Sequence, residues 1–282
     1  IWKYGDEAQR KKYLPKLASG EWIGCFGLTE PDHGSDPGGM TTNIKDMGDH
    51  YLLNGTKNWI TNGNTASVYL VIAQTDVEKG HKGISVFIVE KSMEGFVVGP
   101  KENKLGIRGS DTHSIMFTDV KVPKENRIGE DGFGFTYAMK TLAGGRIGIA
   151  SQALGIASGA YELALQYSKE RIAFGKEISK HQAISFKLAD MATEIDATRL
   201  LCLKAAWLKD KGENYDRASA MAKVFASETA MKTTIEAVQV HGGYGFVKEY
   251  HVERLMRDAK ITQIYEGTSE IQRIVISRSI LK

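Results

Sequence analysis

Three textures of hydrophobic and polar positions follow one another along the chain. Residues 1–20 are rich in charge, with Tyr13, Leu14 and Leu17 on one side of a helical period and Gly20 as a stop. From about residue 22 to 128 the signals change to short β-rich runs at 68–72, 84–89 and, with partial alternation, 114–118. Asn54-Gly55, Asn62-Gly63 and Lys79-Gly80 are expected to mark turns in this region. After Gly134 the helical period returns. It runs through Ile147, Leu154, Tyr161 and Leu165, then Ile184, Leu188, Met191 and Ile195, then Val224, Met231, Ile235 and Val238. No proline follows Pro123, so nothing interrupts these helices. The pattern predicts an α+β multidomain fold, a β-domain followed by a bundle of about four helices.

Composition narrows the function. The chain of 282 residues is 42% hydrophobic and 25% charged, an ordinary globular balance with room for more than one core. Its net charge of +3, from 37 basic and 34 acidic residues, is spread along the chain and does not predict a nucleic-acid partner. Cys25 and Cys202 stand far apart in no ligand spacing, and are expected to be free buried thiols in a reducing compartment. No apolar run reaches the roughly 18 residues that a membrane helix needs. The opening Ile1-Trp2-Lys3-Tyr4 has no initiator Met and no signal-peptide layout, so the chain is expected to start inside a longer protein.

Several chemistries find no support. There is no G-x-G-x-x-G, no G-x-x-x-x-G-K-[ST] loop, no H-E-x-x-H and no G-x-S-x-G elbow. The 7 histidines lie at unrelated spacings, so no metal site is expected, and His50 and His113 read as surface or hydrogen-bonded structural residues. Any enzymatic power should come from a bound cofactor or from carboxylates.

Four segments are rich in Gly, Thr, Ser and aromatic residues. Two of them, residues 25–36 and 57–63, read as loops at strand ends offering backbone N–H groups, hydroxyls and an indole, a lining suited to a planar heteroaromatic ring. On composition alone, ordinary turns around a core tryptophan serve as well. The third, residues 238–246, stops a helix with Gly242-Gly243, either a close approach to a ligand or a helix cap. In the fourth, residues 264–273, Thr268 or Ser269 is placed to cap a final helix just beyond Glu266.

With these segments the chain resembles the acyl-CoA dehydrogenases, most closely their short-chain, butyryl-CoA branch. Leu105-Gly106-Ile107-Arg108-Gly109-Ser110-Asp111-Thr112, the stretch 145–155, Arg171-Ile172-Ala173-Phe174-Gly175 and Tyr265-Glu266-Gly267-Thr268 match family signatures, in order and over essentially the whole chain. The resemblance implies a remnant of an N-terminal helical domain at 1–21, a flavin-binding domain of β-barrel type at 22–130 and a C-terminal four-helix bundle at 131–282. It also implies that the rest of the N-terminal helical domain lies outside these residues.

The resemblance also implies FAD between the β-domain and the C-terminal helices. Phe26, Leu28, Thr29 and Ser35 would line it, and Trp59, Ile60 and Thr61 would flank its ring. Arg171, Gln182 and the run Gln239, Val240, His241, Gly242 and Gly243 would hold the FAD of a neighbouring subunit, Phe174 would also bind FAD, and Thr268, Ser269 and Glu270 would be the last contacts. Ser35, Ala143, Gly144, Gly145, Arg146 and Gly267 would meet the acyl-CoA. Glu266 would take the α-proton, burial raising its pKa towards working pH. The hydride would pass to FAD, and an electron-transferring flavoprotein would reoxidise the flavin. A homotetramer is implied, cytoplasmic in a bacterium or in the mitochondrial matrix of a eukaryote.

Some relatives place the base on the helix that here reads Leu142-Ala143-Gly144-Gly145-Arg146. The corresponding position is Gly145, which leaves Glu266. Ala143 stands where short-chain members usually carry Asp. The alternatives are a dehydrogenase of branched or dicarboxylic acyl-CoA, and an inactive scaffold of the same fold.

Overall fold

The computed structural model of the protein describes residues 1–281. The chain forms two compact units, one of Ile1–Lys104 with Arg108–Lys140, the other of Leu105–Ile107 with the residues from Thr141 onward.

The first unit opens with α1 (Glu7–Ser19). Asp6 and Gln9 close its first turn as a capping box, and Gly20 ends it in the left-handed conformation. Gln9 is buried and donates to the carbonyl oxygens of Glu125 (2.7 Å) and Arg127 (2.8 Å), while the Tyr13 hydroxyl donates to Glu90 (2.7 Å). The helix is therefore docked by satisfied polar groups as well as by the buried Tyr13 ring.

Eight strands follow: β1 (Gly24–Gly27), β2 (Asn43–Asp46), β3 (His50–Thr61), β4 (Val68–Gln74), β5 (Ile84–Glu90), β6 (Phe96–Lys101), β7 (Thr112–Pro123) and β8 (Arg127–Ile128). They make one mixed sheet in the order β6-β7-β3-β2-β4-β5-β8, with β1 parallel to β4. The apolar runs in β4 and β5 lie almost wholly buried, which is why they do not alternate. Their Val71 and Phe87 join Leu53, Ile115 and Val120 in the core of the unit.

One expected turn is a strand. Asn54-Gly55 lies inside β3, at a register irregularity opposite β7. Asn54 bonds across to Asp119, its side-chain oxygen accepting from the Asp119 N–H at 2.9 Å. Gly55 has φ +140°, and a Cβ there would stand 2.7 Å from Cα of Thr42. The glycine serves a bulge and a close backbone approach, which local sequence cannot tell from a hairpin turn.

The second unit is helical. Helix α2 (Gly134–Glu170) starts in the first unit and continues through the second, and a small ladder of β9 (Ile172–Ala173) and β10 (Lys176–Glu177) leads to α3 (Gln182–Asp210). Then come α4 (Asp216–His241), α5 (Val252–Lys260) and α6 (Ser269–Ile280), with α4 packed against α3, α5 and α6. Leu188, Met191 and Ile195 are buried as their spacing predicts. In α2 the innermost positions are instead Ala150, Ala153, Ala157, Ala160 and Ala164, an alternating three-four spacing that puts them on one stripe. In α4 the buried positions are mostly Ala, Ser and Thr, with Lys223, Val240 and His241, while Ile235 is 49% exposed. Small side chains let helix backbones approach closely, so the periodic large residues marked the helices without marking their inner faces.

Candidate active site

In the second unit, α6 is capped by Thr268, whose hydroxyl accepts from the Ile271 N–H at 3.3 Å. Just before it the backbone is left-handed twice, at Glu266 (φ +55°) and Gly267 (φ +87°). Glycine adopts this conformation freely, whereas for glutamate it costs on the order of 1 kcal/mol and must be held. The holding is explicit. The Gly267 carbonyl accepts from Lys223 Nζ (2.7 Å) and Gln272 Nε2 (2.8 Å), and Gln272 Nε2 also reaches the Glu266 carbonyl (3.2 Å). Tyr265 donates its hydroxyl to Gln152 on α2.

The Glu266 side chain is thereby aimed at α2. A Cβ on Gly145 would lie 2.7 Å from Glu266 Oε2, so the glycine leaves room for the carboxylate. No side chain among the described residues donates a hydrogen bond to that carboxylate, and burial pushes its pKa up, against the opposing pull of Arg146 and Lys223. Burial lowers the pKa of Arg146 as well and pushes the Tyr265 phenol up to about 12. Arg146 Nε, Ser269 Oγ and Gln272 Oε1 are buried without partners. A buried polar atom without a partner calls for a contact that the protein does not itself supply.

A groove of about 550 Å³ lies elsewhere in this unit, lined by Tyr167, Arg171 and the turn Val240, His241, Gly242, Gly243 and Tyr244, among others. Tyr167 stacks on His241 with centroids 4.3 Å apart, and the Arg171 guanidinium sits 5.6 Å from the Tyr244 ring. Gln182, Gln239 and Phe174 are exposed outside its lining, Phe174 at 96%. A guanidinium beside an exposed glycine turn, where no Cβ blocks close approach, is a fitting receptor for phosphate oxygens.

In the first unit the segment at 26–30 and the end of β3 are pinned together. Asn58 N–H donates to the Thr29 carbonyl (2.8 Å), and Lys57 Nζ donates to the Leu28 carbonyl (3.1 Å) and to Glu30 Oε1 (2.8 Å). Glu30 accepts three further bonds, from the N–H and hydroxyl of Thr41 and the N–H of Thr42. A register shift between Lys57 and Ile60 puts Trp59 at φ +60°, with Ile60 buried and Trp59 58% exposed. Trp59 is thus a presented surface and not the core tryptophan that composition allowed. Phe26 and Thr29 are half-buried, Leu28 is buried, and Thr61 and Ser35 are exposed.

Within the second unit the structure brings Gly145, Arg146, Glu266 and Gly267 together, and separately Arg171 with residues 240–243. Ala143 is buried and Gly144 half-buried, with Lys209 Nζ 3.5 Å from where a Gly144 Cβ would be. Sequence reading missed Lys57, Glu30, Lys223 and Gln272 as participants. Lys223 had a signal, since it sits among Ala222, Ala226 and Ala230 on a helix whose small residues form the inner face. Among the described residues no group of three or more His, Cys, Asp or Glu could hold a metal, and no helix is long and apolar enough to cross a membrane.

Residues 25–120 match the acyl-CoA dehydrogenase middle domain and residues 132–281 the acyl-CoA dehydrogenase C-terminal domain. A short-chain specific acyl-CoA dehydrogenase of Clostridium acetobutylicum is 53% identical over 99% of this chain and 74% of its own length. The caffeyl-CoA reductase–Etf complex subunit CarC of Acetobacterium woodii is 50% identical over 99% and 73%. The solved butyryl-CoA dehydrogenase of Megasphaera elsdenii superposes with a TM-score of 0.98 at 52% identity, covering all of this chain and 74% of that one. The chain belongs to the acyl-CoA dehydrogenase family.

Proposed function

We propose that the protein dehydrogenates short-chain acyl-CoA thioesters to trans-2-enoyl-CoA, with Glu266 as the base, and delivers the electrons to an electron-transferring flavoprotein. The observation that carries this reading is Glu266 itself: a half-buried carboxylate on a held left-handed turn, with its pKa raised and with no hydrogen bond that would stabilise the anion.

The residues present fit FAD, the cofactor of this family. Trp59 offers an exposed aromatic surface on a segment that also carries Thr61 and is bonded to Thr29, and Arg171 with Gly242 and Gly243 offers a phosphate receptor. Phe26, Leu28 and Ile60 support the first set, while at the head of α6 Thr268 and Ser269 add hydroxyls, that of Ser269 unpartnered among the described residues, and Glu270 adds a carboxylate. When bound, FAD supplies a two-electron acceptor for a hydride from Cβ of the substrate.

The rest of the chemistry belongs to the chain. A thioester α-proton is weakly acidic, so removing it needs a base of raised pKa together with stabilisation of the charge that develops on the thioester oxygen. Glu266 accepts that proton, the electron pair of the Cα–H bond becomes the new C=C bond, and the Cβ–H bond breaks with loss of hydride. Among the described residues no backbone acceptor takes the Glu266 N–H, which leaves it able to donate to the thioester oxygen. Gly145 keeps the space in front of the carboxylate open, and the Arg146 guanidinium favours its ionised form.

The test is a series of acyl-CoAs of increasing length assayed on the flavin-loaded protein, first with a dye and then with an electron-transferring flavoprotein. Butyryl-CoA should be oxidised more efficiently than dodecanoyl-CoA. Yellow, fully loaded protein that oxidises no acyl-CoA would overturn the reading. Equal efficiency with butyryl- and dodecanoyl-CoA would overturn only the short-chain part.

A further inference from the structure

Lys223 is an unusual residue to find where it is. It lies on α4 with no solvent exposure, in a stretch whose other buried residues, from Ser219 to Ala237, are Ala, Ser and Thr. A buried ammonium is costly unless it is paired and hydrogen-bonded. Its one hydrogen bond runs to the Gly267 carbonyl at 2.7 Å, on the residue following Glu266. It is electrostatically coupled to Glu266 before any other carboxylate. A methionine or leucine would fill the same volume without the desolvation cost, so the cation asks for a reason.

We infer that Lys223 is a positioning residue for the proton transfer: its hydrogen bond fixes the left-handed turn that aims Glu266, and its charge keeps that carboxylate ionised and ready to accept a proton. The inference rests on the dehydrogenase reading and on the assignment of Glu266 as base. The two roles are separable, because the hydrogen bond needs only a donor whereas the electrostatic role needs the charge.

The surroundings support both. Gln272 Nε2 is the second donor to Gly267, but it is neutral and does nothing for the charge of Glu266. Charged or titratable groups coupled to Glu266 come from each element packed on it: Arg146 on α2, Lys223 on α4 and Tyr265 in its own segment. Arg146 is itself coupled to Asp216 and Tyr215, so part of its field is directed away from Glu266, and Lys223 also feels Glu228 and Glu270. Burial lowers the Lys223 pKa to about 8, so the ammonium persists well above the ordinary carboxylate range.

Three variants of the flavin-loaded enzyme test this. Lys223→Gln keeps a donor and loses the charge. Lys223→Met loses both, and Lys223→Arg keeps the charge in a bulkier shape. The acid limb of the rate of flavin reduction by saturating butyryl-CoA should move up by about one pH unit in Lys223→Gln and Lys223→Met and stay within a few tenths in Lys223→Arg. Lys223→Met should also slow the plateau rate by about tenfold to a hundredfold with little change in KM, because misaim costs rate. Infrared titration of the Glu266 carboxylate, as the difference between each protein and its Glu266→Gln partner, should show the same shift without turnover.

An unshifted limb and an unshifted infrared titration in Lys223→Gln would overturn the electrostatic role. A full plateau rate in Lys223→Met would overturn the positional one. Should Lys223→Met not fold, Lys223→Gln, of similar shape and still hydrogen-bonding, decides the first question. Lys223→Arg then decides the second, through a lowered plateau rate on an unmoved limb. Wild-type protein that never oxidises butyryl-CoA would remove the functional reading instead, which the infrared titration would still leave distinguishable.

Discussion

In each unit a buried lysine is electrostatically coupled to a glutamate, Lys57 to Glu30 as a direct ion pair and Lys223 to Glu266 without one among the described contacts, and the two pairs behave in opposite ways. Lys57 with Glu30 in the first unit and Lys223 with Glu266 in the second both have a fully buried lysine whose pKa burial lowers to about 8. The carboxylates diverge. Glu30 is pushed up by burial, yet Lys57 and the Thr41 and Thr42 donors bring it down to about 2, whereas Glu266 is raised despite Arg146 and Lys223. The difference lies in hydrogen bonding. Glu30 accepts four bonds from Lys57, Thr41 and Thr42, while the cation beside Glu266 spends its hydrogen bond on a backbone carbonyl. A nearby charge ionises a buried carboxylate, but bonds to the anion are what make it inert. One pair is a rivet and the other a base.

The largest effect should come from breaking the second pair at its acid. Glu266→Gln should reduce dehydrogenation by about a hundredfold to ten-thousandfold, the usual contribution of a positioned base. Flavin content, read from visible absorption, should be unchanged. Residual turnover within tenfold of wild type would show that the two pairs are more alike than the structure says.

Breaking the first pair should cost stability instead. Lys57→Met leaves Glu30 buried without its cation, a loss of about 3–5 kcal/mol, to be read by urea unfolding. Adding Glu30→Leu should recover most of it, because a buried pair replaced whole by apolar residues is close to neutral. A double variant no more stable than the single would argue that the Thr41 and Thr42 bonds to Glu30 matter more than its charge.

The opposite shifts also predict opposite pH dependences. Glu30 has a folded pKa below its unfolded value, so its contribution is present above about 4.5 and is lost as pH falls towards 2. Glu266 has a folded pKa above its unfolded value, so its ionisation destabilises the fold progressively as pH rises through that range. Glu266→Gln should therefore melt at a higher temperature than wild type at neutral pH, with the gap closing in acid. Thermal scans across pH check both signs, and a constant gap would mean that Glu266 is not shifted. Catalysis should show the same titration as a loss of rate in acid.

The smallest expected effect concerns the cap beside the base. Thr268→Ala removes the bond to the Ile271 N–H and should cost about 1 kcal/mol, seen as a modest fall in melting temperature. A fall in kcat larger than the loss of stability explains would show that the cap also helps to hold the Glu266 turn.

Local sequence carried the element types well. Gly20 marks the end of α1, Thr268 caps α6, and the runs at 68–72 and 84–89 are strands, because capping, left-handed glycine and β-branched runs act over a few residues. It misread Asn54-Gly55, since a bulge and a hairpin turn ask for the same residues and only the partner strand decides between them. The resemblance pointed to Glu266 by motif, and the structure adds what surrounds it: Gly145 leaving room, Gln272 and Lys223 holding the turn. Lys57 looks in the sequence like any of 37 basic residues, and Lys223 differs only in sitting among small residues of a helix. Burial, pairing and the direction of a pKa shift are properties of neighbours distant in sequence. The sequence by itself determined which segments are helix and strand and which residue types could do the chemistry. Only the tertiary structure decided which glutamate is held as an inert anion and which is raised as a base, because that depends on donors brought from other elements.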